Sequence, residues 1–159
     1  MQVVLVHPQI PPNTGNIART CAATQTELHL VEPLGFELSD RYLKRAGLDY
    51  WPFVHLTCHP DWPSFTQVVA KRRGRLIGFD TTGESNAFQF KFAADDWLLF
   101  GSETEGLPAE VLAACDHTVY IPMHQPGVRS LNLSVSVAIG LFEARRQLGY
   151  LNSSEPGQR

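Results

Sequence analysis

"SLNLSVSVAIGLFEARRQLGY", residues 130–150, decides how the chain folds. Its opening alternates like a strand, with Leu131, Leu133, Val135 and Val137 separated by Asn132, Ser134 and Ser136. The apolar run continues well beyond ordinary strand length, so length assigns a helix. Leu131, Val135, Ala138 and Phe142 then share one face, and Leu133, Val137 and Leu141 another. A helix apolar on two faces is expected to be deeply buried. Arg145 and Arg146 suit its C-terminal end electrostatically, and Gly149 can stop it.

Upstream, short continuous apolar runs alternate with amphipathic segments. "QVVLVH" (2–7), "LHLVE" (28–32), "FVHLTC" (53–58), "RLIGFD" (75–80), "WLLFG" (97–101) and "HTVYI" (117–121) read as strands covered on both faces. Helices are expected between them. Asn13 is placed to cap one running to about Gln25, Ser39 one ending at Gly47, and Asp61 or Ser64 one ending before Gly74. Pro108 suits the first turn of a further helix. Phe88, Phe90 and Phe92 of "AFQFKF" alternate as a small edge strand or flap would. The order predicts an α/β domain with a mainly parallel sheet and helices on both faces. One domain over 1–151 accounts for the chain, followed by a polar tail, 152–159, expected to be flexible.

The chain has 159 residues, 43% of them hydrophobic, enough for one continuous core. Its formal net charge of -3 excludes a wholly basic nucleic-acid-binding body, so any polyanion must meet a local patch. Three scattered cysteines, no signal segment and no membrane-length apolar run point to the cytoplasm, with no membrane partner. "HLTCH" (55–59) lacks a second ligand pair at zinc spacing, so no metal is expected.

Ligands of parallel α/β sheets bind at the carboxyl ends of strands, which singles out "HPQIPPNTGN", "DTTGESN", "GSETEGLP" and "PMHQPGVRSLN". The glycine spacing fits neither a phosphate-binding P-loop nor a GxGxxG dinucleotide fingerprint. Taken singly, each loop also has a plain structural reading. Ser102 and Thr104 suit a helix entrance, Ser130, Asn132 and Ser134 suit an N-cap, and Arg19 suits a solvated surface. His7 and His124 flank these loops and read as packed or hydrogen-bonded groups, and Cys21 as a small core residue.

Together, "PPNTGNIARTC", "LLFGSETEGLP" and "IPM…RSLNLSVSVAI" resemble, in order and spacing, the SpoU branch of the SPOUT RNA methyltransferases, over residues 2 to about 150. "LKRAGLDYW" (43–51) further resembles the small members that methylate the ribose 2′-hydroxyl of the tRNA wobble nucleotide, cytidine or modified uridine. The resemblance implies S-adenosylmethionine as methyl donor, a deep C-terminal trefoil knot and a homodimer whose two chains build each site. It implies a catalytic set of Asn13, Arg19, Glu103, Ser130 and Asn132, and cofactor contacts from Phe79, Gly101, Ile121, Met123, Ser130 and Leu131.

Arg41, Lys44 and Arg45, followed by Tyr50 and Trp51, put cations beside stackable aromatics, a combination suited to an unstacked base of the anticodon stem-loop. A solvated face with two core aromatics is the competing reading of that segment. Lys71, Arg72, Arg73 and Arg75 are read as mainly structural, at a helix end that favours cations. Two other functions remain open at the level of sequence. One is the same transfer to another tRNA position or to ribosomal RNA; the other is a non-catalytic nucleotide- or RNA-binding module.

Overall fold

The computed structural model describes residues 1–38 and 50–151. The helix expected from Ser39 to Gly47, the cations Arg41, Lys44 and Arg45, and the polar tail from Asn152 lie outside the described residues.

Strand β1 (Gln2–Val6) carries Val3, Val4, Leu5 and Val6, all with no exposed surface, because both faces of the sheet are covered. It pairs in parallel with β2 (Glu27–Val31) on one side and with β6 (Trp97–Phe100) on the other. With β3 (Leu56–His59), β4 (Leu76–Phe79), β5 (Ser85–Asn86) and β7 (His117–Tyr120), the order is β3-β2-β1-β6-β4-β7-β5. All the ladders between these strands are parallel, so every connection must cross a face of the sheet.

The α-helices among the described residues are α1 (Pro11–Ala23), α2 (Trp62–Arg72), α3 (Ala109–Ala114) and α4 (Leu133–Gln147). One core joins Val3, Leu5, Phe79 and Phe100 to Ile17 and Cys21 of α1 and to Val137 and Leu141 of α4. The other joins Val4, Val6, Trp97 and Leu99 to Phe65 of α2 and Val111 of α3. Alternate strand residues thus feed alternate cores, as the two-residue period of a strand requires.

Several boundaries differ from those read in the sequence, each for a physical reason. α1 begins at Pro11 with Ile10 at its N-cap, so Asn13 lies inside the first turn and is not the cap. Two prolines there remove N–H groups that would otherwise need partners. The third strand starts at Leu56 rather than 53, because Trp51–Phe53, with Pro52 at its centre, winds into a short 3-10 turn. The "AFQFKF" segment forms neither strand nor flap. Ser85–Asn86 makes the edge pairing with β7, and the chain then turns to bury Phe92 while Phe88 stays exposed.

The helical assignment of α4 agrees with the structure, with Asn132 as its N-cap, but burial on two faces does not. Leu133, Val137 and Leu141 are buried, whereas Val135 and Phe142 remain 46% and 42% exposed. Among the described residues, only one of the two apolar faces is covered from within the chain.

Candidate active site

At the carboxyl ends of β1, β4, β6 and β7, the loop after β6 reaches across to the start of α1. Gly101 allows that loop to fold tightly on itself: a Cβ there would lie 1.9 Å from the carbonyl carbon of Gly106. Ser102 and Gly106 exchange both backbone hydrogen bonds, at 3.1 and 3.0 Å, and Gly106 takes a φ of 72° to close the turn. The demand for glycine at 101 therefore comes first from the loop's own backbone.

This hairpin presents Glu103. Its carboxylate accepts the backbone N–H of Gln9 at 2.8 Å, that of Ile10 at 3.1 Å and the amide Nδ2 of Asn13 at 3.1 Å. A carboxylate is favoured there by the positive end of the helix dipole. Asn13, with both roles of its amide in use, accepts from Nδ2 of Asn132 at 3.0 Å. Asn132 Oδ1 in turn accepts from the Ser134 N–H at 2.9 Å and its hydroxyl at 2.6 Å. Glu103, Asn13 and Asn132, far apart in sequence, thus form one hydrogen-bonded chain that ties the three loops together.

Beside this chain opens a cleft of about 290 Å³, of a size with small-ligand pockets. Phe79, Gly101, Ile121, Met123, Ser130 and Leu131 all line it, as does Glu103. The Phe79 ring is 8% exposed and stacks on Phe100 at 4.4 Å between centroids, so Phe79 offers the cleft mainly its backbone. Gly140 of α4 leaves room for both rings. Ile121, Met123 and Leu131 supply an apolar wall, while Asp80, Glu103 and Glu105 supply carboxylates.

Asp80, Thr81, Arg129 and Ser136 also line the cleft and were not singled out from the sequence. Asp80 and Thr81 belong to the "DTTGESN" loop, and Arg129 to "PMHQPGVRSLN". Ser136 follows Asn132 by four residues, one helical turn, which was the available signal.

Arg19 does not line this cleft. It is exposed on α1, on the stripe shared with Pro12 and Asn16, and its guanidinium lies 5.3 Å from the centre of the Tyr50 ring. Tyr50 is 9% exposed and donates its hydroxyl to the Gly15 carbonyl at 2.9 Å. Its ring is thus a core group under Arg19 rather than a free stacking platform for a base. Trp51 is half-buried against the same core. Lys71 and Arg72 fall in the last turn of α2, and Arg72 and Arg75 pair with Glu27 and Asp96.

His29 and His59 form a buried pair on the opposite side of the sheet, Nδ1 to Nε2 at 2.9 Å, packed against Phe65. Among the described residues no group of three or more His, Cys, Asp or Glu side chains is placed to hold a metal ion. None of the described helices is long and apolar enough to cross a membrane.

A parallel α/β sheet with a cleft between the loops after β4, β6 and β7 has its cleft where folds of this class bind ligands, at the carboxyl ends of the strands. The chain belongs to the SpoU rRNA methylase family, whose model matches residues 1–142. The tRNA (cytidine(34)-2'-O)-methyltransferase of Burkholderia ambifaria is 49% identical over 150 residues, covering 93% of this chain and 96% of its own length. A solved structure concerned with 2-OH methylation of C/U34 on tRNA superposes with a TM-score of 0.89 at 48% identity, over 94% of this chain and 96% of that one. The SpoU methyltransferase AviRb from Streptomyces viridochromogenes, solved with AdoMet bound, superposes with a TM-score of 0.83 at 28% identity, over 93% of this chain and 57% of that one.

Proposed function

We propose that this protein transfers a methyl group from S-adenosylmethionine to the ribose 2′-hydroxyl of nucleotide 34 in the tRNA anticodon loop. The observation that carries this reading is the hydrogen-bonded chain Glu103–Asn13–Asn132 at the edge of a cofactor-sized cleft, in a member of the SpoU family. The residues fit the donor. Ile121, Met123 and Leu131 suit a flat purine, loop backbone suits its polar edge, and three carboxylates near the cleft favour a cationic sulfonium. When bound, S-adenosylmethionine supplies an electrophilic methyl group; the rest of the work falls to the protein's side chains.

A ribose hydroxyl is a weak nucleophile, so the transfer depends on in-line positioning and removal of its proton. The Asn13–Asn132 pair holds the loops in that geometry, and Ser130 adds a polar residue at the cleft. Arg19 is assigned as a clamp on the phosphate and hydroxyl of the target nucleotide, since a guanidinium is a fork of hydrogen-bond donors with no acceptor and is a poor base. Because Arg19 lies away from its own chain's cleft, a homodimer in which it serves the partner's cleft fits this role.

The apolar stripe of α4, with Val135 and Phe142 exposed and Ile139 half-buried between them, supports such a dimer. Ile10, exposed at the N-cap of α1, adds apolar surface outside the core. A C-terminal knot is part of the same reading. Gln147 at the end of α4 donates to the Phe90 carbonyl and accepts from the Phe92 N–H, so the chain at Phe90–Phe92 is tied to the helix end, which supports that reading. The cytoplasm, where three free thiols stay reduced, is the compartment implied.

An anticodon stem-loop carrying a 2′-deoxy nucleotide at position 34 tests the reading. It is expected to accept no methyl group while the ribose form does; equal labelling of both would refute it.

A further inference from the structure

A second cleft, of about 540 Å³, lies on the other side of the Ser102–Gly106 hairpin, at the carboxyl ends of β1 and β2. Ser102, Glu105 and Gly106 line both clefts, so the two are separated only by that hairpin. Resting on the methyl-transfer function above, we propose that this second cleft holds the pyrimidine base of the target nucleotide and favours cytosine over uracil.

The walls have the chemistry for a flat base. His7 takes a left-handed φ of 53°, unusual for a residue with a side chain, and is held there by its N–H bond to Val31. Its imidazole, with Leu34 and Pro108, lines the cleft with planar and apolar surface. At the polar edge, Gln9 Oε1 accepts the Thr104 hydroxyl at 2.9 Å, which leaves its amide N–H groups as the donors it can offer a ligand. Glu105, exposed at the hairpin, has no hydrogen bond or ion pair on its carboxylate among the described residues.

A donor and a carboxylate lining one cleft have the chemistry to pair with the Watson–Crick edge of cytosine. Its O2 or N3 accepts from Gln9, and its N4 amino group donates to Glu105. Uracil sets the acceptor O4 where cytosine has that amino group, so the carboxylate would oppose an oxygen and disfavour it. The placement also suits the reaction. A base seated beyond the hairpin leaves its ribose at the shared residues, next to the first cleft, where the methyl group is delivered.

The test uses the full-length protein, saturating S-adenosylmethionine and two stem-loops that differ only in C34 or U34. Glu105→Gln is expected to lower the ratio of C34 to U34 transfer about tenfold, and the ratio cancels any loss common to both substrates. Ala109→Trp, introduced at an exposed lining position, is expected to reduce transfer to both at least tenfold while cofactor affinity stays within about twofold. An unchanged ratio in Glu105→Gln, or undiminished transfer in Ala109→Trp, overturns the inference alone. Absence of label at nucleotide 34 with the unaltered protein overturns the underlying function and the inference with it.

Discussion

Asn13 accepts a hydrogen bond of 3.0 Å from Asn132, across 119 residues of sequence. That contact, with the 3.1 Å bond from Asn13 to Glu103, makes the loops after β1, β6 and β7 a single unit. Positioning in this site is therefore a property of the chain of bonds rather than of any one residue.

Asn13→Ala removes both links. It is expected to lower methyl transfer by roughly 10- to 100-fold and stability by about 1–2 kcal/mol, because the Asn132 amide and the Glu103 carboxylate each lose a partner. Asn132→Ala is expected to match it in rate and to cost a little more in stability, since it also removes the cap of α4. The double variant should be scarcely slower than the worse single one, as members of one network are not additive. Rates with saturating substrates and denaturant midpoints check this; additive losses would count against a single unit.

Gly101→Ala forces a methyl group to within 1.9 Å of the Gly106 backbone, which has no flexible side chain to yield. Cofactor affinity is expected to fall at least tenfold, with a stability loss of about 1–3 kcal/mol. Gly127→Ala, in a loop with nothing within 4 Å of the new carbon, is expected to change neither. Calorimetric titration with S-adenosylmethionine on both variants decides it.

Stability should fall with acid in a defined window. Burial and the neighbouring His59 push His29 down to about 4 from its ordinary 6.5, and burial lowers His59 as well. A depressed histidine means that the unfolded chain binds more protons between those two values, so stability is full above about 6.5 and declines as pH falls to about 4. Glu27, held down to about 2 by its hydrogen bonds with Arg72, adds a further loss below 4.5. Denaturation midpoints at pH 7.5 and 4.5 measure the first effect, and His29→Phe should flatten it.

The exposed face of α4 makes a prediction of its own. Phe142→Glu places a charge in the Val135–Phe142 stripe and is expected to give a monomer by sedimentation, with transfer to tRNA lost and the fold retained. A variant that stays dimeric and active would move the interface elsewhere.

How much of this could be read beforehand follows from range. Continuous apolar runs such as Val3–Val6 and Trp97–Phe100 announce buried parallel strands, because local composition reports burial directly. The cleft residues were legible through the motifs, and the structure places Phe79, Gly101, Ile121, Met123, Ser130 and Leu131 together. The start of α1 was not legible, since the N–H groups of Gln9 and Ile10 just ahead of it are bound by Glu103 from more than ninety positions away and no local pattern encodes that. Nor was β5, whose Ser85 and Asn86 pair through backbone alone. The exposed face of α4 looked like core for the same reason: an apolar stripe is identical whether its cover comes from within the chain or from another.

The most direct measurement is to incubate the protein with labelled S-adenosylmethionine and total tRNA and to map the methylated nucleotide. Label is expected on the 2′-oxygen of nucleotide 34, at a rate that Arg19→Lys reduces severely because the bidentate fork is lost. Label at another position, or in ribosomal RNA only, would contradict it.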